Sequence, residues 1–247
     1  MARKSKSQQP DVIEEIESIA ERAAQWVREH LPLTLGVLFA ALATAALISG
    51  LGAYRNREIE TAFDALDRVT HDYLRAMGAE ANAIGVPELA NPDAAAAIRA
   101  EYTAEFGAIA NEHAGTVAAA LARLEAGDLS EADGDLDASI ELWRTALDSL
   151  DQDSNLQAIF QLRIGQAYEA AERWTEAGEA YEAAAAYGRF PLHYWAMADA
   201  ARCLSQAGEI ERARDLALRL HSEAPDDLNL PEHQAAMLRE LRQTRTP

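Results

Sequence analysis

Six histidines, one cysteine and a run of aspartates are the residues of this 247-residue chain best suited to chemistry. His30, His71, His113, His193, His221 and His233 include no pair four residues apart, the spacing that sets two imidazoles on one helical face to grip zinc, and no HExxH occurs. His221 and His233 lie twelve apart across a proline-bounded loop, so a metal site there would be a coincidence of folding. Asp128, Asp133, Asp135 and Asp137 invite a calcium reading. Counted from Asp133, however, the sixth residue is Ala138 where a calcium loop needs glycine, and the twelfth is Arg144 where it needs glutamate. Helix-capping acids on a solvated loop are the better account. Cys203 has no second cysteine with which to form a disulfide, a redox pair or a multi-cysteine zinc site, and beside Leu204 it reads as a buried, inert thiol. Glu176 and Glu179 fall on an exposed helical face, where solvation rather than acid–base work is the expectation. No phosphate loop, nucleophile elbow or kinase signature is present. The two lysines, Lys4 and Lys6, both precede the main body. These residues predict no enzyme, no metal and no cofactor.

Charge narrows the partners. The chain carries 22 basic and 41 acidic residues, a net −19, which argues against nucleic acid because phosphate neutralisation needs clustered Lys and Arg. From Tyr54 onward 17 basic residues face 35 acidic ones, a net −18. The apolar share of 49% is ample for the core of one or two modest domains.

The elements that position these residues begin with an anomaly. No charge occurs between His30 and Arg55, and Leu31–Ala53 reads LPLTLGVLFAALATAALISGLGA. As a helix this run would be about 35 Å long, enough to cross a hydrocarbon core of ~30 Å. A buried core helix would keep a polar stripe, and a cleaved signal would have a shorter apolar region. The run therefore predicts a retained single-pass anchor over 31–54. Its orientation is nearly a tie by charge: Arg3, Lys4, Lys6, Arg22 and Arg28 precede it, and Arg55, Arg57, Arg68 and Arg75 follow. Within residues 1–30, Val12, Ile16, Ile19, Ala23 and Trp26 recur at helical spacing after a Pro10-Asp11 start. Glu14, Glu15, Glu17 and Glu21 on the other face disfavour a lipid-binding helix. A partner-binding helix and a plain lead-in to the anchor both remain.

Residues 55–247 are helical in pattern throughout. Breaks are expected at Gly78–Pro92, Gly127–Gly134, Asp151–Asn155, Tyr187–Pro191 and Ala224–Pro231, with Asn91-Pro92 as a capped helix start. Within 157–190, Ile164-Gly165, Tyr168, Trp174, Ala177, Tyr181 and Ala184 fall where a tetratricopeptide repeat has its signature residues. Within 192–225, Ala201, Leu204, Gly208, Ile210, Ala213 and Pro225 repeat the pattern. Gly165 to Ala201 and Ala177 to Ala213 are both 36 residues, so the two units are in register. An earlier unit, with Ala120, Gly127, Leu129 and Ala132 followed by Ala138, Leu142 and Trp143, reads as a repeat with a lengthened turn over Gly127–Asp137. Ile59–Met77 and Pro92–His113 add a further pair. The fold class expected is all-α: an N-terminal transmembrane helix, then a tetratricopeptide-like α-solenoid of antiparallel helix pairs.

Stacked pairs turn their first helices toward a shared groove. With Gln161, Ile164, Gly165 and Tyr168 packed inward, Leu162, Gln166 and Glu169 face it; Trp195, Arg202 and Ser205 are their equivalents in the next unit. Trp195 would serve as an aromatic anchor, and Arg202, two turns on, would pair with an acidic client or a C-terminal carboxylate. Such a lining suits extended peptides or a partner helix, not a small-molecule substrate.

A short N-terminal helix, one span ending near Tyr54-Arg55, and degenerate helical repeats together resemble the ancillary SecYEG translocon subunit family. The segment Gly50–Arg57, the Gly127-Asp128 turn, and Asp153-Ser154-Asn155-Leu156 leading into Leu162-Arg163-Ile164 carry the resemblance, with Gly78–Ala96 as an insertion. It implies a bacterial inner-membrane protein with a cytoplasmic N-terminus and a periplasmic C-terminal domain. Its implied partners are the Sec translocon, periplasmic chaperones or exported chains. A structural scaffold for another envelope assembly, such as cytochrome maturation, division or secretion machinery, is the alternative.

Overall fold

The computed structural model describes residues 21, 22, 25, 31–79, 86, 87, 89–151, 154–225 and 228–243. Nine helices of eleven or more residues occur among them: α1 (Leu31–Ala76), α2 (Pro92–Glu112), α3 (Val117–Ala132), α4 (Leu136–Ser149), α5 (Asn155–Ala170), α6 (Trp174–Ala185), α7 (His193–Gln206), α8 (Ile210–Glu223) and α9 (Glu232–Gln243). Two compact units divide after Arg57, and α1 contributes residues to both. The amphipathic stretch over 11–29 lies outside the described residues apart from positions 21, 22 and 25.

Side chains set the helix starts. The Asn91 carboxamide oxygen accepts from the Asp93 and Ala94 amides at 3.1 and 3.4 Å, and Pro92 fills the first position, where its missing N–H costs nothing. Thr116 caps α3 through the Ala119 amide, Asp135 caps α4 through that of Ala138, and Ser154 caps α5 through that of Leu156. Each such cap contributes about 1 kcal/mol.

Three turns between paired helices close in the same way, as does the end of α1 at Gly78. Gly134, Glu172 and Gly208 adopt φ of 82°, 57° and 82°, and the residue after each donates back to Ser130, Tyr168 and Leu204 at 2.9, 2.8 and 2.8 Å. This is the left-handed helix end that favours glycine, and at the middle turn a glutamate occupies it. Glu172→Gly should therefore raise the unfolding free energy by about 1 kcal/mol, read as a higher urea midpoint at unchanged slope. An unchanged or lower midpoint would show that the glutamate bears no strain there.

From α3 onward the helices form two layers, with α3, α5, α7 and α9 in one and α4, α6 and α8 in the other. Their core is built on Trp143, Phe160, Tyr168, Tyr181, Met197 and Leu204. A second cluster, with Leu66, Tyr73, Phe106, Ile109 and Leu129, joins the end of α1 to α2 and α3. There the Tyr73 and Tyr102 rings stand 5.4 Å apart.

Close approach within each pair depends on a missing side chain. A Cβ at Gly165 would stand 2.8 Å from the Tyr181 ring, and one at Gly127 would stand 2.2 Å from Trp143 Nε1. Both glycines lie inside helices, sixteen residues before the ring that covers them. The lengthened turn expected over Gly127–Asp137 is thus corrected: α3 runs on to Ala132, and the turn is only Asp133–Asp135. Gly127-Asp128 is helix, and the glycine is there for packing.

Three of the four aspartates, Asp133, Asp135 and Asp137, are exposed, and Asp135 caps α4 through its side chain, while Asp133 pairs with Arg99 and Asp137 with Arg173 at 3.5 Å. Asp128 departs from the expected solvated loop: it is half-buried on α3 and pairs with Arg163 at 3.0 Å.

Among the described residues no helix is long and apolar enough to cross a membrane. The apolar run Leu31–Ala53 lies within α1, and the side chains of residues 31–35, 37 and 38 fall outside the described residues. Of the others, Phe39, Leu42, Leu47, Ile48 and Leu51 each expose 62% or more of their surface.

Candidate functional site

The first-helix layer is stitched by side chains that reach from one first helix to the next. Glu169 on α5 and Arg202 on α7 meet as a two-pronged pair, with Nη1 to Oε1 at 2.8 Å and Nη2 to Oε2 at 2.7 Å. Arg202 also donates to Asp199 at 3.1 Å, and Asp199 accepts from Gln234 of α9 at 2.9 Å. The Tyr181 hydroxyl donates to Glu169 at 2.9 Å. Parallel charge-assisted hydrogen bonds of this kind fix geometry as well as adding energy.

The electrostatics follow from that arrangement. Burial pushes the Glu169 carboxyl up, but the Arg202 guanidinium, by hydrogen bond and charge, together with the Tyr181 hydroxyl, leaves it below the usual carboxylate range. Burial raises Asp199 in spite of Arg202 and Gln234. Burial, with the Glu169 and Asp199 charges working against Arg202, pushes the Cys203 thiol up to about 12. A thiol so rarely ionised is a packing residue, since the thiolate is the reactive form.

Of the six residues expected on the groove, Gln166 is exposed and Leu162, Glu169, Trp195, Arg202 and Ser205 are half-buried. The structure joins Glu169 to Arg202 directly. Trp195 stands apart from that pair, beside a cavity of about 490 Å³ shared with Phe190, Pro191, Tyr194, Pro225 and Leu228. The expectation that Arg202 is free for a client carboxylate is corrected, because Glu169 and Asp199 already hold its guanidinium.

A second part of the face was missed from sequence. Asp128 on α3 accepts from Arg163 on α5 at 3.0 Å through Oδ2, while its Oδ1 is buried without a hydrogen-bond donor. Burial pushes its carboxyl up to about 6, with Arg163 opposing and Glu125 and Glu131 adding to the rise. The available signal was register: Asp128, Gln166 and Arg202 follow Gly127, Gly165 and Ala201 by one residue each.

A raised folded value means that ionisation opposes folding. The stabilising contribution is complete below the ordinary value near 4 and is lost as the pH rises through about 6. Asp128→Asn keeps an acceptor for Arg163 and removes the titration. The variant should melt above the parent at pH 8, with the gap closing toward pH 4. A gap independent of pH would contradict the assignment.

The second-helix layer differs in kind. Arg212 meets Glu182 at 2.9 Å and Glu209 at 2.6 Å, and Arg173 meets Glu176 at 2.9 Å, with both arginines exposed. Such pairs contribute about 0–1 kcal/mol each. Among the described residues no group of three or more His, Cys, Asp or Glu could hold a metal ion.

Residues 168–239 match the tetratricopeptide repeat family. No curated protein matches the chain. Among solved structures it is similar to the N-terminal domain of stress-induced protein-1 from C. elegans, at 19% identity over 51% of this chain and 95% of that one, with a TM-score of 0.42. It is also similar to the nearly identical TPR-like repeats of a protein described as a kinesin light chain from Podosopora anserina. That match has 16% identity over 59% of this chain and 80% of the other, with a TM-score of 0.47. The likeness to tetratricopeptide repeats thus covers Tyr168 to Arg239, from the end of α5 to α9.

Proposed function

We propose that this chain is a membrane-anchored protein-binding module that takes up partner segments on its first-helix face, as an accessory of the Sec translocon on the periplasmic side. The observation that carries the binding part is the first-helix layer itself. Half-buried Leu162 and Trp195 and exposed Gln166 stand on helices held in register by the Glu169–Arg202 and Asp128–Arg163 pairs. A surface whose rows are locked before a partner arrives loses little further entropy on binding.

The anchor rests on sequence and exposure together. Leu31–Ala53 contains no charge, and Phe39, Leu42, Leu47, Ile48 and Leu51 are exposed along one helix. Apolar surface left in water forgoes about 25 cal/mol per Å², and a lipid environment removes that loss. The translocon assignment rests on the resemblance carried by Gly50–Arg57 and by Asn155-Leu156 leading into Leu162-Arg163-Ile164.

Two readouts test it. The full chain should stay with the membrane through alkaline carbonate extraction, and a reporter fused after Pro247 should be active only outside the cytoplasm. Release into the soluble fraction would remove the anchor, and a reporter active only in the cytoplasm would reverse the orientation and with it the periplasmic role.

A further inference from the structure

The charged groups on the first-helix face are unevenly matched. On α3, α5 and α7 there are five carboxylates, Glu125, Asp128, Glu131, Glu169 and Asp199, and three guanidiniums, Arg123, Arg163 and Arg202; Arg123 donates to the Ala110 carbonyl of α2, and α9 carries two charges of each sign. Arg163 is engaged with Asp128 at 3.0 Å, and Arg202 with Glu169 at 2.7 Å and Asp199 at 3.1 Å. A carboxylate arriving from a partner would have to displace one of these pairs. An arriving ammonium or guanidinium would find carboxylates in excess.

Those carboxylates are also short of compensation. Glu125 and Asp128 are half-buried, and burial raises the proton affinity of both in spite of Arg163. Partial removal from water makes a nearby positive charge worth more than it would be at an open surface. Leu162 and Trp195, half-buried on α5 and α7, supply apolar contact on the same layer. The net −18 from Tyr54 onward adds a long-range field of the same sign, which speeds encounter with cations.

We propose that the first-helix face selects partner segments in which lysine or arginine is interleaved with apolar residues, and that it disfavours carboxylate-rich segments. This rests on the reading of that face as the binding surface.

The test uses the full chain in a neutral detergent and two fluorescein-labelled twelve-residue peptides, with empty micelles as the blank. Both peptides carry leucine at the same positions; the remaining positions are lysine in one and glutamate in the other. The lysine peptide should bind at least tenfold more tightly than the glutamate peptide, and its affinity should fall as salt is raised. Glu125→Gln with Glu131→Gln leaves the Asp128–Arg163 pair in place and should weaken the lysine peptide at least threefold without lowering the melting temperature. Glu179→Gln with Glu211→Gln removes the same charge from the second helices α6 and α8 and should change little. Equal binding of the two peptides, or tighter binding of the glutamate peptide, overturns the charge preference and leaves the face as a binding surface. An equal loss from both double variants overturns its assignment to this face. Binding of neither peptide by a fully helical chain overturns the surface reading as well.

Discussion

Trp143→Ala should lower the unfolding free energy of the helical unit by about 3–5 kcal/mol, as large-to-small changes at buried aromatic residues do. The Trp143 ring is fully buried, covers the Cα of Gly127, and donates its indole N–H to the Leu124 carbonyl at 3.2 Å. Truncation opens a cavity between α3 and α4 and removes the indole hydrogen bond to that carbonyl. Gly127→Ala probes the same contact from the other side. Alanine gains about 1 kcal/mol of helix propensity over glycine. Its methyl would nevertheless stand 2.2 Å from Trp143 Nε1, so a net loss is expected. In the Trp143→Ala background the clash is gone and Gly127→Ala should become neutral or stabilising, a coupling that urea unfolding of all four chains measures. A loss below about 1.5 kcal/mol for Trp143→Ala, where aromatic truncation in a core ordinarily costs more, would show that the two helices do not depend on this ring.

Arg202→Glu should be the most damaging charge change on the first-helix face. It replaces the cation between Glu169 and Asp199 with a third carboxylate. Removing one partner of a buried pair costs about 3–5 kcal/mol, and the added repulsion compensates for the partial exposure of this site. Arg202→Met, which keeps the aliphatic stem without the charge, should cost less and should change the response to acid. In the parent, Glu169 sits below its ordinary value, so its contribution is present above that value, near 4.3, and is lost as the pH falls through the lowered one. Without Arg202 the same carboxyl is buried with no cation, and acidification from pH 7 to pH 4 should recover stability relative to the parent. An unchanged pH profile in Arg202→Met would mean that the pair contributes nothing to folding. The same contacts make Trp195→Ala the cleaner probe of binding, because Trp195 stands outside the Glu169–Arg202 network.

Much of the helical unit was legible from sequence because its packing rules are local. Gly165, Tyr168, Ala177 and Tyr181 recur at spacings that only an antiparallel pair satisfies, and the same register carries into Ala201 and Ala213. The earlier unit misled because Gly127-Asp128 has the composition of a turn. The decisive signal was the sixteen-residue interval to Trp143, identical to that from Gly165 to Tyr181. Glu172 was hidden for the opposite reason, since a glutamate gives no hint of the left-handed backbone that Gly134 and Gly208 announce. The site was the less legible part. Asp128 and Arg163 are 35 residues apart, and Glu169 and Arg202 are 33 apart. Whether such residues meet depends on how neighbouring first helices slide past each other, which no local pattern records. Composition could show an acidic unit, but only the contacts show that Arg163 and Arg202 are already taken.

The binding surface is tested most directly by a photoreactive residue placed in turn at Gln166 and at Leu218, in cells carrying the full chain. Gln166 is exposed on α5 of the first-helix layer, and Leu218 is 43% exposed on α8 of the other. Irradiation should join Gln166 to other proteins in discrete products that are lost in Trp195→Ala, while Leu218 yields none. Equal products from both positions, or products from Leu218 alone, would contradict the assignment of binding to the first-helix face.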